Sequence, residues 1–193
     1  SLVVARALSQ GRSVVATAST GNAGASLACM GAATGIRTVI LVPRTAPRAK
    51  VAQLATFGAR VILVDGSYDT CFDLVARLCA SEGWVNRNTG LNPFTREGKK
   101  TCAFEIIRDL AWQPPDHVAV SVGDGNIISG LGKGFHELAG MGLIEKSPRL
   151  LGIQSTRSDA ISRAHERAGE AGGARKVALQ AVQASTRADS ISV

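Results

Sequence analysis

The chain has 193 residues, 45% of them hydrophobic and 19% charged, which is enough for one large or two small globular domains. No apolar run is long enough to span a membrane, and no basic segment followed by an apolar one reads as a secretory leader, so the composition points to a cytoplasmic protein. The net charge of +7 comes from basic residues scattered singly or in pairs, and with aromatics at only 4% the chain lacks stacking platforms for bases, which argues against a nucleic-acid partner.

Strand and helix patterns alternate along the chain. Short apolar runs at Ser13–Ala18, Arg37–Val42, Arg60–Asp65, His117–Val122 and Leu150–Ser155, each with Val or Ile, predict strands buried on both faces of a parallel sheet. Between them, Asn22–Thr34, Pro47–Phe57, Asp69–Glu82, Gly98–Trp112 and Ile128–Gly140 predict helices. Repeated strand–helix units give open, mainly parallel α/β sheets with right-handed crossovers. The segment Arg87–Gly98, rich in Asn, Gly and Pro, separates two such runs. It predicts a joint between two α/β lobes, residues 1–92 and 93–193. Gly169–Gly173 predicts a flexible loop, followed by a short helix near Lys176–Val182.

The four cysteines, Cys29, Cys71, Cys79 and Cys102, form no C-x-x-C pair, and only three histidines accompany them. This argues against a zinc site, and no other metal site is predicted. They lie in Ala/Leu-rich segments, where a reduced cysteine acts as a small core residue.

Ligands of open α/β sheets sit beyond the carboxyl ends of the strands, and two loops there carry chemistry. The first is Ser19-Thr20-Gly21-Asn22, after the first strand. It opens a helix, so unpaired backbone N–H groups and the helix dipole favour an anion. Ser19 and Thr20 add hydroxyls, and Asn22 adds an amide that both donates and accepts. Ala23, Gly24 and Ala25 keep the helix start thin enough for a broad ligand to lie against it. A plain helix cap would select the same residue types. The second loop is Val122-Gly123-Asp124-Gly125-Asn126, ahead of the helix at Ile128. Its glycines let successive N–H groups cradle a phosphate. It matches neither the dinucleotide fingerprint nor the G-x-x-x-x-G-K-[ST] loop. Asp124 suits a phosphate cup only if its carboxylate turns away. A tight Gly-Asp-Gly turn without a ligand is the alternative.

Taken in order, STGNAGASLA, LNPFTREGKKT, VGDGNIISGLGKGF, LLGIQ and ADSISV resemble the threonine synthase family, and more broadly the fold-type-II enzymes that use pyridoxal 5′-phosphate (PLP). The resemblance implies two α/β lobes like those of the tryptophan synthase β chain, a PLP-dependent lyase and a homodimer. It implies that Ser19, Thr20 and Gly21 clasp the carboxylate of an amino-acid substrate and that Asn22 touches the cofactor. Gly123, Asp124, Gly125, Asn126 and Ile127 would form the cup for the cofactor's phosphate. Many family members read Gly-Asn-Ala-Gly-Asn there, so this cup departs at several positions. The family's Schiff-base lysine is expected upstream of Ser1, and the residue contacting the pyridine nitrogen beyond Val193. No catalytic residue is therefore expected in this chain, and none of Lys50, Lys99, Lys100, Lys133, Lys146 and Lys176 takes that lysine's place. Around Asn92-Pro93 the family carries a serine and an arginine for the substrate's phosphate. Gly90 stands for the serine and Thr95 for the arginine, with Arg96 one place later as the candidate phosphate contact. A threonine or serine dehydratase, a cysteate-synthase-like β-replacement enzyme and a non-catalytic homologue binding a small phosphorylated ligand are the alternatives.

Overall fold

The computed structural model describes residues 2–170 and 179–180. The predicted helix near Lys176–Val182 and the segment ADSISV lie outside the described residues, apart from 179–180. The chain divides into two compact units, Ser1–Gly98 and Lys99–Val193.

In the first unit, α1 (Leu2–Ser9), β1 (Val14–Ala18), α2 (Asn22–Thr34), β2 (Arg37–Pro43), α3 (Arg48–Thr56), β3 (Arg60–Val64), α4 (Tyr68–Glu82), β4 (Val85–Asn86) and α5 (Pro93–Glu97) follow in order. The four strands form one parallel sheet in the order β3-β2-β1-β4. The alternating sides of β1 and β2 explain the layering. Val14, Ala16, Ala18, Val39 and Leu41 pack on Cys71, Val75 and Cys79 of α4. The intervening residues face the other way: Val15 packs with Leu27 of α2 and with α1, while Ile40 and Val42 pack with Ala28 and Leu54. Burying each of these larger aliphatic side chains contributes about 2 kcal/mol relative to exposure. Only these two central strands fit the expectation of burial on both faces. β3 lies at the sheet edge and exposes Ile62 and Leu63.

The second unit holds α6 (Lys100–Asp109), β5 (His117–Ser121), α7 (Asn126–Gly140), β6 (Arg149–Ile153) and α8 (Ala160–Glu170). β5 and β6 pair in parallel, and Val120 packs with Leu131, Phe135 and Leu138 of α7 and with Ala103 and Ile107 of α6. Leu151 and Ile153 of β6 remain exposed, contrary to the expected burial of both faces.

The boundary falls after Gly98 rather than after Asn92. The reason is α5: Asn92 caps it through Phe94 N–H, Pro93 sits in its first turn, and the Arg6 guanidinium of α1 stacks 4.3 Å from the Phe94 ring centre. The helix expected over Gly98–Trp112 is shorter, because Ala111 and Trp112 take positive φ values and turn the chain out of it. α8 runs through Gly169 to Glu170, so the predicted loop at Gly169–Gly173 begins as helix.

Cysteine usage is mixed. Cys71 and Cys79 are core residues as expected, whereas Cys29 and Cys102 lie on exposed helix positions. Burial pushes the Cys79 thiol up to about 11 and raises Cys71 as well. A folded-state value above the unfolded one means that the fold retains the proton, so this contribution to stability is intact below the unfolded thiol value of about 8.5–9 and is lost as pH rises towards 11. In the native chain at pH 8, a thiol reagent should label Cys29 and Cys102 quickly and Cys71 and Cys79 only on unfolding. Mass-spectrometric mapping of the labelled peptides checks this, and fast labelling of Cys79 would contradict the packing of α4 on β1.

Candidate active site

In the sheet order β3-β2-β1-β4, the crossovers from β1 run to β2 on one side, and β4 lies on the other. The order therefore reverses between β1 and β4, the switch point beyond whose carboxyl ends open α/β sheets carry their ligand crevice. The loops that leave these two ends are Ser19–Asn22 and Arg87–Leu91.

Ser19 and Thr20 are half-buried, and Gly21 and Asn22 are exposed. Ser19 Oγ accepts from Gly21 N–H (3.3 Å) and Gly24 N–H (3.2 Å), folding the loop back over the start of α2. The helix's own ladder begins with Ala25 N–H donating to Gly21 carbonyl (3.1 Å). The N–H groups of Asn22 and Ala23 have no acceptor among the described residues and lie at the positive end of a 13-residue helix. Gly24 is small for a different reason than the sequence suggested. A Cβ there would stand 2.5 Å from the Ser19 carbonyl oxygen and 3.3 Å from Leu54, so the space is taken by the chain itself rather than left for a ligand.

The other side of the crevice is held by Asn88, which is 1% exposed. Its Oδ1 accepts from Ala18 N–H (2.8 Å) and the Thr17 hydroxyl (3.3 Å), and its Nδ2 donates to Phe72 carbonyl (3.2 Å). One side chain thus joins the end of β1, the hinge loop and α4. Sequence reasoning did not single it out. Asn92 donates to Asn86 carbonyl (2.8 Å), and the buried Thr95 hydroxyl bonds Thr89 carbonyl (3.0 Å) and Asn92 carbonyl (2.6 Å). Thr95 therefore points inward, while Arg96 is exposed on α5. A cavity of about 200 Å³ adjoins the same hinge, lined by Val3, Arg6, Asn86, Asn92 and Phe94 among others, and it does not include the Ser19–Asn22 loop.

In the second unit, the loop after β5 has the same plan. Gly125 takes φ +76°, a left-handed turn that glycine adopts without penalty, and α7 begins at Asn126. Ser129 N–H donates to Gly125 carbonyl (3.1 Å), which leaves Ile127 and Ile128 N–H without an acceptor among the described residues. The Asp124 carboxylate does not turn away from the loop. Its Oδ1 accepts from Asn126 N–H (3.0 Å) and its Oδ2 from Asn126 Nδ2 (2.7 Å), so it caps the helix and takes one donor of the cup. The remaining donors and the helix dipole fit a phosphate held by main-chain N–H groups.

The lysines described here are engaged elsewhere. Lys100 Nζ bonds both Glu137 oxygens (2.9 and 2.8 Å), and Lys133 lies 3.8 Å from Glu137 one turn away. Lys146 bonds Asp116 (3.0 Å), and that hydrogen bond holds the Asp116 carboxyl below its usual range. No helix is long and apolar enough to cross a membrane among the described residues.

The family model for the pyridoxal-phosphate dependent enzymes matches residues 1–193. The chain is similar to threonine synthase of Methanocaldococcus jannaschii, 42% identical over 159 residues, covering 82% of this chain and 39% of that protein. Threonine synthase of Methanosarcina acetivorans is 39% identical over 162 residues, 83% of this chain and 40% of that protein. The chain thus spans about 40% of the length of these curated relatives. Among solved structures, a processed threonine deaminase isoform of Solanum lycopersicum superposes with a TM-score of 0.76 at 24% identity, covering 94% of this chain and 46% of the other. The fold is accordingly that of the fold-type-II PLP enzymes, with parallel strands and ligand loops at their carboxyl ends. The chain belongs to the pyridoxal-phosphate dependent enzyme family, and pyridoxal 5′-phosphate is its cofactor.

Proposed function

We propose that the protein is a PLP-dependent lyase of the threonine synthase type, which removes phosphate from O-phosphohomoserine and adds water at the β-carbon to give threonine. The observation that carries this reading is the Ser19–Asn22 loop, seated at the β1/β4 crevice with two unpaired amides. The identity to threonine synthases supports it. Bound PLP would supply the electron sink for the carbanion chemistry. The chain's own residues bind and orient. The Asn22 and Ala23 amides, with Thr20 and the Gly21 backbone, take the substrate's carboxylate, and Ser19 holds that loop closed. The Asn22 side chain would touch the cofactor. Gly123, Asp124, Gly125 and Ile127 would hold the cofactor's phosphate through main-chain donors, while the Asn126 N–H is taken by the Asp124 carboxylate that fixes the turn. Arg96, exposed on α5, is the candidate contact for the substrate's phosphate. The protein works in the cytoplasm as a homodimer.

A second reading, a threonine or serine dehydratase, is favoured by the hinge. Thr95 turns inward and bonds the chain's own carbonyls, so no cation occupies that inward position. Assaying the full-length protein with each substrate separates the two. The first reading expects threonine and phosphate in equal amounts from O-phosphohomoserine, with little keto acid from serine or threonine. Keto acid from serine or threonine, with no phosphate released from O-phosphohomoserine, would replace it with the second.

A further inference from the structure

The carboxyl edge of the first sheet carries two arginines that the chain treats in opposite ways. Arg44, after β2, pairs with Asp65, after β3, so its charge is neutralised within the fold. Arg87 follows β4 and stands at the crevice side of the sheet. Its backbone N–H donates to Ala16 carbonyl (2.8 Å), and the next residue, Asn88, binds Ala18 N–H, one residue before Ser19. The side chain is half-buried, yet its one hydrogen bond is to a neutral hydroxyl, Nη1 to Thr89 Oγ1 at 3.3 Å. Among the described residues no carboxylate pairs with it. The Tyr68 phenol acts on it in the opposite direction to burial, and burial is the larger effect.

A guanidinium offers five donors in a planar fork, and Arg87 uses one. Removing such a charge from water without a counter-ion is costly, and burial indeed pushes its pKa below the ordinary value. Thr89, which receives its bond, is itself fixed by the buried Thr95 hydroxyl, so the fork is held from behind. These features describe a cation kept for an anion that no described residue supplies. The Asn22 and Ala23 amides already provide for a carboxylate at the other wall of the crevice. What remains for Arg87 is a second anion, and a fork of parallel N–H groups matches a tetrahedral oxyanion two oxygens at a time.

We propose that Arg87 is a substrate-binding residue that takes a phosphate-type oxyanion, at the end of the substrate remote from its amino-acid carboxylate. The assignment of that oxyanion to the substrate rests on the lyase reading above. The binding of the oxyanion does not.

The test uses the full-length protein loaded with PLP, so that the cofactor's own phosphate cup is filled, and inorganic phosphate as the probe in calorimetric titration. Arg87→Gln should weaken phosphate binding roughly tenfold or more, the loss expected for one charged hydrogen-bonding partner, and Arg87→Lys should lose less. Arg60→Gln removes the same charge at the amino end of β3 and should leave phosphate affinity unchanged. Without phosphate, Arg87→Gln should melt at or above the wild-type temperature, because an uncompensated buried charge has been removed. Wild-type affinity in Arg87→Gln, an equal loss in Arg60→Gln, no phosphate binding by the wild type, or a lower melting temperature in Arg87→Gln without phosphate would each overturn the proposal. Arg87-dependent phosphate binding in a protein that does not turn over O-phosphohomoserine would overturn the lyase reading and uphold the oxyanion site.

Discussion

Replacing Asn88 with alanine should destabilise the fold by about 2–4 kcal/mol, among the larger effects open to a single substitution. The side chain is 1% exposed and closes three bonds at once, to Ala18 N–H, the Thr17 hydroxyl and Phe72 carbonyl. Thr17 is itself 1% exposed, so water cannot readily replace the lost acceptor. Two of the orphaned donors sit at the end of β1, immediately before Ser19. The same change should therefore loosen the loop proposed to hold the substrate. Asn88→Asp keeps the acceptor but loses the bond to Phe72 and places a charge in the core, so it should be no milder. Urea denaturation of the variants measures the effect, and a loss below about 1 kcal/mol would mean that the hinge is not anchored through this residue.

Gly24→Val should separate stability from binding. Its Cβ would stand 2.5 Å from the Ser19 carbonyl oxygen, which is backbone and cannot rotate aside. Overpacking of this kind costs about 1–3 kcal/mol. The loop Ser19–Asn22 must shift to relieve it, breaking the Ser19 Oγ bonds to Gly21 and Gly24 N–H. A displacement of about 1 Å in a binding group can reduce turnover by roughly 100-fold, and kcat/KM of the full-length enzyme should fall by that order. Gly21→Ala is the contrasting variant. Nothing lies within 4 Å of its Cβ, and its φ of −101° suits any residue. The fold should tolerate it, while a methyl group on the face offered to the substrate should raise KM. Unchanged KM in both variants would remove the loop from the substrate site.

The elements that sequence revealed were those whose local chemistry and burial agree. β1 and α2 were legible because Val14 and Val15 lead directly into Ser, Thr, Gly and Asn, residues that both end a strand and start a helix. The loop after β5 was legible for the same reason, although Asp124 was not: its carboxylate finds Asn126 N–H, a local bond that outweighs the expected outward turn. β3, β5 and β6 look as apolar as the central strands, but composition cannot show that they stand at sheet edges. β4 has two residues, too few for any period to register. α5 was hidden inside what read as a loop, although Asn92 followed by Pro93 is a helix-start signature that would have found it. Asn88 and Arg87 were not legible at all. Their significance comes from contacts with β1 some 70 positions earlier in the chain, and no local pattern distinguishes them from other residues of a polar hinge.

The most direct measurement of the central claim is a crystal structure of the full-length protein with PLP bound. The account predicts the cofactor's phosphate within hydrogen-bond distance of the Ile127 N–H at the start of α7. A phosphate seated away from Gly123–Ile127 would contradict it.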